Sequence, residues 1–447
     1  MRSACNFYES NSFYKQYEFK RKLAMKKYQP TLSKFKPLIL LFFYIGLTSL
    51  SASLSAQNKC MIYGSLTTID GKTYEGPIRW GNEEVFLSDI FNSKKTSNPY
   101  LKYLNKSDFK TEYKSSSRSK SKDFISISSS NNQPKSNYLP RVFQCRFGDI
   151  KSITVTGRES VNLELNSEKF INLRGGSNDI NTRVSILDIE LGLIRVNWNK
   201  IDHIDFFRPT REHSDSFGQG IYGKLTTTQG VFTGFVQWDH DERLLDDKLD
   251  GESSEGDFEI PFRKIKNIAK HRNSCLVTLT SDRELNLHGT NDVDSNNKGI
   301  IMNLPNIGRA DFVWKHFISF EILNEKAPES LCDTSFPSSK RLYGKVISKS
   351  GQEFEGIIVY DLDEAMDSEL LNGYNDDIKF SIPFRNIESI TPMSNEYASV
   401  ELKSGEKLFL GDETDVSYKN AGVLIFTSSE EFHILKWDEL EKIIFID

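Results

Sequence analysis

The chain has 447 residues, with 57 Lys+Arg against 62 Asp+Glu for a formal net charge of −5, and 12% of it is aromatic. That length suits two to four ordinary domains, and the aromatic content excludes a chain disordered throughout. The near-neutral balance argues against a general polyanion binder.

The first element is a leader over residues 1–56. Residues 37–47 form an apolar run, preceded by Lys20, Arg21, Lys22, Lys26, Lys27, Lys34 and Lys36 and followed by small residues ending at Ala56. That order predicts a secretory signal peptide. Met25 is the alternative true start, which would leave 1–24 untranslated. The competing expectation is an N-terminal membrane anchor, but the apolar run falls short of the ~20 residues that a span needs. After cleavage no transmembrane span is expected. Cys60, Cys145, Cys275 and Cys332 stay in the mature chain, and their pairing is open between buried free thiols and disulfides.

Three segments then begin alike: Ile62-Tyr63-Gly64, Ile221-Tyr222-Gly223 and Leu342-Tyr343-Gly344. Each continues at fixed offsets through an aromatic–x–Gly unit ending at Gly76, Gly234 or Gly356. Trp80, Trp238 or Tyr360 lies four residues further on, and Glu84, Glu242 or Glu364 four beyond that. Later come Asp179, Asp292 and Asp415, then closing aromatics matched as Trp198 with Phe206, Phe312 with Phe320, and Trp437 with Phe445. Such self-similarity predicts internal repeats. The modules are 57–207, 221–323 and 342–447, joined by linkers 208–220 and 324–341. The first module carries an insertion, 93–140, with ten Lys+Arg against three Asp+Glu. Its serine runs predict disorder. A tolerated loop expansion is the simpler reading, and electrostatic contact with an anionic envelope surface the functional one.

Short runs with period-two alternation, bounded by Gly, Asn, Asp and Ser, predict antiparallel strands throughout and therefore an all-β fold. Each half module is the size of a small SH3-like or Sm-like barrel, so each module is expected to pair two of them. The alternative is one β-sandwich per module. Gly234-Phe235-Val236-Gln237-Trp238-Asp239 and Gly356-Ile357-Ile358-Val359-Tyr360-Asp361 resemble the second-strand pattern of Sm-like barrels. Trp80 is followed by Gly81, so the first module departs from it. The family's Arg-Gly motif is absent, so no RNA-binding role carries over. The whole repeat also resembles secreted bacterial repeat proteins of unknown function, which implies no mechanism.

The search for chemistry is mostly negative. No metal spacing, nucleophile elbow or phosphate loop occurs, so no catalytic residue is assigned and the chain is not expected to be an enzyme. Trp80, Trp238 and Tyr360 are candidate ligand-stacking residues, although core packing suits them better. Glu84, Glu242, Glu364, Asp179, Asp292 and Asp415 are candidate binding carboxylates. No cofactor is assigned; calcium is the one candidate, and the loops lack the usual calcium-loop spacing. Arg263 and Arg385 are expected to pair with the acidic loops of their own modules, Arg385 with Glu364 in particular.

The charge divides unevenly. The leader carries nine basic and two acidic residues, and the mature chain 48 against 60. Without the insertion the modules stand at −19. The expectation is a secreted or periplasmic scaffold that presents tandem modules to a protein, peptide or glycan, with no nucleic-acid partner. The alternatives are a calcium-stabilised cell-surface protein and a hydrolase with a dispersed site.

Overall fold

The computed structural model describes residues 60–104, 141–175, 179–209, 216–323 and 337–447. The leader, most of the 324–341 linker and the body of the insertion, 105–140, lie outside them. The described residues form an all-β protein of large antiparallel sheets whose only helices are single 3₁₀ turns.

Each segment contributes ten strands. The first has β1 (Tyr63–Thr68), β2 (Thr73–Trp80), β3 (Ile90–Lys95), β4 (Arg141–Arg146), β5 (Ile150–Gly157), β6 (Ser160–Leu165), β7 (Phe170–Arg174), β8 (Arg183–Asp188), β9 (Gly192–Asn197) and β10 (Ile201–Phe206). The second has β11 (Tyr222–Thr227), β12 (Gly230–Trp238), β13 (Lys248–Ser253), β14 (Gly256–Pro261), β15 (Ile265–His271), β16 (Ser274–Leu279), β17 (Glu284–Leu287), β18 (Ile300–Leu304), β19 (Gly308–Phe312) and β20 (Phe317–Ile322). The third has β21 (Tyr343–Ser348), β22 (Glu353–Val359), β23 (Leu370–Asn375), β24 (Ile378–Pro383), β25 (Ile387–Pro392), β26 (Tyr397–Leu402), β27 (Lys407–Gly411), β28 (Val423–Phe426), β29 (Phe432–Leu435) and β30 (Leu440–Phe445).

The same pairing order recurs. In the first segment it runs β4-β3-β7-β6-β5-β10-β1-β2-β8-β9. In the second, β17-β16-β15-β20-β11-β12-β18-β19 repeats eight of those places, and the Glu252–His288 bridge attaches β13 and β14. In the third, Tyr374 opposite Gly411 plays the part of that bridge. The expected closure into paired small barrels is not seen, because the two end strands of each order do not pair with each other. The buried face of the first segment is filled by strand side chains alternating along β1 and β6, with Ile150 and Ile153 of β5 set three apart by a bulge.

Two glycine positions in each segment have a steric cause. A Cβ on Gly64, Gly223 or Gly344 would overlap the carbonyl of Asp205, Glu321 or Ile444 on the neighbouring strand. A Cβ on Gly76, Gly234 or Gly356 would overlap that of Leu187, Asn303 or Phe426. The backbones cross too closely for any side chain, which explains the recurrence of both glycines in the sequence.

The structure shifts one expected match. Gly64, Gly223 and Gly344 stand opposite Phe206, Ile322 and Phe445. The closing aromatic of the second segment is therefore Trp314, which opens a 3₁₀ turn as Trp198 and Trp437 do. Phe312 lies two residues earlier, in β19.

The three segments also meet one another. β19 pairs with β24, and the second and third segments share one hydrophobic core. The first has its own core, completed by Met366 from the third. The insertion starts later than its sequence suggests. Ser93–Lys95 finish β3, Leu101 is buried, and Tyr103 packs on Phe426 and Phe432 with ring centroids 5.2 and 4.9 Å apart.

Candidate functional site

The nine residues singled out in the sequence fall into three equivalent clusters, one per segment. Trp80, Trp238 and Tyr360 are fully buried. Each ends a strand or follows it directly and turns its polar atom inward. The indole N–H of Trp80 donates to the Asp179 carbonyl at 2.8 Å, and that of Trp238 to the Asp292 carbonyl at 2.9 Å. The Tyr360 hydroxyl donates to the Asp415 carbonyl at 2.5 Å. Rings surround each anchor: Phe147 and Trp198 against Trp80, Phe317 and Trp314 against Trp238, and Phe384 against Tyr360. None of the three presents a face to a ligand.

Immediately after the anchor the chain turns back so that Glu84, Glu242 and Glu364 bridge to Trp80, Trp238 and Tyr360. The turn needs a left-handed residue, supplied by Gly81 (φ 61°), Asp239 (φ 51°) and Asp361 (φ 47°). Gly and Asp are among the residues that tolerate this conformation. The departure of the first segment from the aromatic–Asp pattern is thus a second solution to one backbone demand. Where Asp stands, its carboxylate accepts from a main-chain N–H, that of Lys298 at 2.6 Å for Asp239 and that of Ala421 for Asp361.

Beside the anchor Glu84, Glu364, Asp179 and Asp292 are buried, and Glu242 and Asp415 half-buried. Asp179, Asp292 and Asp415 accept the main-chain N–H of Asn92, Asp250 and Asn372 at 2.6 to 2.7 Å. Burial raises all three carboxyls above the usual range, Asp292 to about 6. Burial, then the neighbouring Asp292, pushes Glu242 up to about 9. Burial also holds Glu84 and Glu364 well above the ordinary value, with Asp179 adding to the first and Asp363 and Asp415 to the second. One oxygen of Glu242 and one of Glu364 are buried without a hydrogen-bond partner. A buried carboxyl in that setting holds its proton to higher pH than usual, since a desolvated charge is disfavoured.

A second set of acids was not singled out in the sequence. Asp89, Asp247 and Glu369 each accept two successive main-chain N–H groups: Val85 and Phe86, Arg243 and Leu244, Ala365 and Met366. A fixed offset of five from Glu84, Glu242 and Glu364 marks them. Each also binds a cation of another segment. Arg243 donates to Asp89 at 2.7 Å, Arg79 grips Asp247 with two bonds of 3.0 Å, and Lys95 meets Glu369 at 2.5 Å. Burial alone would lower Lys95, but Asp363, Glu369 and Glu364 outweigh it and hold its ammonium above the ordinary lysine value. Arg263 pairs with Asp246 of its own loop, as expected. Arg385 does not meet Glu364; it binds Asp367 at 3.2 Å and reaches Asp149 of the first segment at 2.9 Å.

The carboxylates are therefore used within the protein. Among the described residues, no group of three or more His, Cys, Asp or Glu is placed to hold a metal ion. Cys60 is disulfide-bonded, while Cys145 and Cys275 are buried free thiols, which rules out full pairing of the four cysteines that follow residue 56. Cys332 lies outside the described residues. No helix among the described residues is long and apolar enough to cross a membrane.

The open site lies elsewhere. A groove of about 1090 Å³ runs between the first and third segments, lined by Tyr100, Tyr103, Lys169, Arg341, Tyr343 and Glu355 among others. It combines aromatic rings with charged and hydroxyl groups, a composition suited to a polar chain with apolar faces. Tyr343 is 41% exposed, and its hydroxyl donates to Glu355 at 3.3 Å. Tyr343 and Glu355 recur in the first segment as Tyr63 and Glu75, hydrogen-bonded in the same way, whereas Tyr100, Tyr103 and Arg341 come from loops that differ between segments. The chain matches no family model, no curated protein and no solved structure.

Proposed function

We propose that the chain is an exported, non-catalytic binding or scaffold protein made of three copies of one ten-strand module. Its ligand site is the groove between the first and third modules, which takes an extended peptide or glycan strand. One observation carries this reading: the anchors Trp80, Trp238 and Tyr360 are fully enclosed, whereas Tyr343 in the groove is 41% exposed where its counterparts Tyr63 and Tyr222 are buried.

Export rests on the leader, and the Cys60 disulfide supports an oxidising compartment. The acidic modules disfavour nucleic acid as partner. The basic insertion, whose residues Tyr100 and Tyr103 line the groove, also supplies a contact with anionic envelope components.

The test is direct. Residues 57–447 are applied to peptide and glycan arrays, and hits are titrated against the parent protein, Arg341→Ala and Tyr343→Ala. Saturable binding weakened about tenfold by either change is expected, as for an interfacial Arg or Tyr anchor. No saturable hit, or hits indifferent to both changes, would remove the groove as the site. Turnover of a bound hit would replace binding by catalysis.

A further inference from the structure

Among the described residues, two strand edges stand open where their counterparts are closed. β19 and β24 join the second and third segments edge to edge. Arg309 lies opposite Ser381, Ala310 opposite Phe380, Asp311 opposite Lys379 and Phe312 opposite Ile378. The counterpart of β19 in the first segment is β9, because the ladder Trp80–Val184–Val196 matches Trp238–Ile300–Phe312. The counterpart of β24 in the second segment is β14, since Pro261 and Pro383 end both strands in the same register. Among the described residues β9 pairs only with β8, and β14 only with β13.

The open hairpin is also apolar at its tip. Ile189, Leu191 and Leu193 are 64%, 67% and 42% exposed. The matching tip of the second segment packs Ile307 against the shared core, and the Ile307 carbonyl accepts from Asn386. The molecule thus contains one filled example of a joint and one unfilled copy of each half.

We propose that β9 of one molecule pairs with β14 of a second copy of this chain, in the register of β19 and β24. That register sets Leu193 opposite Glu259, Ile194 opposite Phe258, Arg195 opposite Asp257 and Val196 opposite Gly256. The central apolar contact of Ala310 with Phe380 is kept as Ile194 with Phe258. The register also sets opposite charges face to face, Asp311 opposite Lys379 in the filled joint and Arg195 opposite Asp257 in the new one. Arg195 and Asp257 are both exposed in the single chain. Pairing β14 with itself would set Asp257 and Glu259 against like charges, so the acidic edge selects the Arg-bearing one. Main-chain hydrogen bonds supply the affinity, as in other strand additions. The two edges are different surfaces, so the joint is head-to-tail and builds a ring or an open row of copies.

Sedimentation velocity on residues 57–447 over a wide concentration range tests this. Reversible association is expected. Arg195→Glu and Asp257→Arg should each weaken it about fivefold, because each sets like charges directly opposite. An equimolar mixture of the two variants should recover parental association, since the glutamate introduced in one then faces the arginine introduced in the other. Arg195→Gln and Asp257→Asn remove charge without reversing it and should give smaller losses, guarding against a folding defect. A parent that stays monomeric throughout overturns the proposal. So do association indifferent to both reversals and a mixture that fails to recover.

Discussion

The Arg243 guanidinium of the second segment donates to the Asp89 carboxylate of the first at 2.7 Å, and both side chains are buried, 2% and 8% exposed. The same guanidinium lies over the Phe86 ring, 4.8 Å from its centroid, and donates to the Val236 carbonyl. Phe86 in turn stacks on Phe235. One arginine therefore ties a loop of the first segment to β12 of the second.

Removing it should be severe. Arg243→Met leaves the Asp89 charge buried without its partner and should lower stability by about 3–5 kcal/mol. Asp89→Ala should lose a comparable amount, because two main-chain N–H groups lose their acceptor. Urea denaturation of the parent, both single variants and the double variant would show strong coupling. Additive losses would mean that the contact is not formed.

The anchors should behave alike in all three segments. Trp238→Phe keeps most of the packing but leaves the buried Asp292 carbonyl without its donor, and Tyr360→Phe does the same to Asp415. Each should lose about 1–3 kcal/mol. Neither should change ligand binding in the groove, because both side chains are enclosed. Thermal melting read beside a binding titration checks the two halves of this statement.

Stability should also depend on pH through Glu242. Its carboxyl is raised in the folded chain to about 9 from an ordinary value of 4.5. The folded state therefore holds the proton more tightly than the unfolded state does. Below about 4.5 both states are protonated and the group has no effect. As pH rises toward about 9 the unfolded chain gains by ionising, so stability falls through that window. Glu242→Gln should leave the melting midpoint unchanged at pH 4 and raise it at pH 8. An equal midpoint at both values would show the carboxyl to be ionised in the fold.

Tyr103 clamps the hairpin β28–β29 against the first segment. Tyr103→Ala removes two ring contacts and should open that hairpin locally, with little effect on β25 or β26. Amide hydrogen exchange would show faster exchange at Leu424 and Ile434 and unchanged protection at Ile390 and Val400. Uniform acceleration would mean global loosening instead.

Much of the strand pattern is legible because it obeys period two, and the modular offsets because each enforces a backbone demand. Gly64 and Gly76 recur through close backbone crossings, and Trp80 recurs because one carbonyl must be met. The sequence alone misplaces the register of the second segment between Phe312 and Trp314, since two aromatics two residues apart point to the same face of a strand. Barrel closure is not legible, because pairing at a sheet end depends on what lies beside it. The contacts of Lys95 and Arg243 are hidden for another reason. Each of these cations occurs in one segment only, so no repetition announces it. Arg385 does recur, as Arg263, but its partner Asp149 belongs to a different segment.

Met366 has an implication for the order of assembly. A ribosome releases the first segment before the third, yet a side chain of the third fills part of the first segment's interior. The first segment emerges with that part of its interior unfilled until residue 366 has followed. A chain cut short after residue 323 lacks Met366 and cannot complete the core of its first segment.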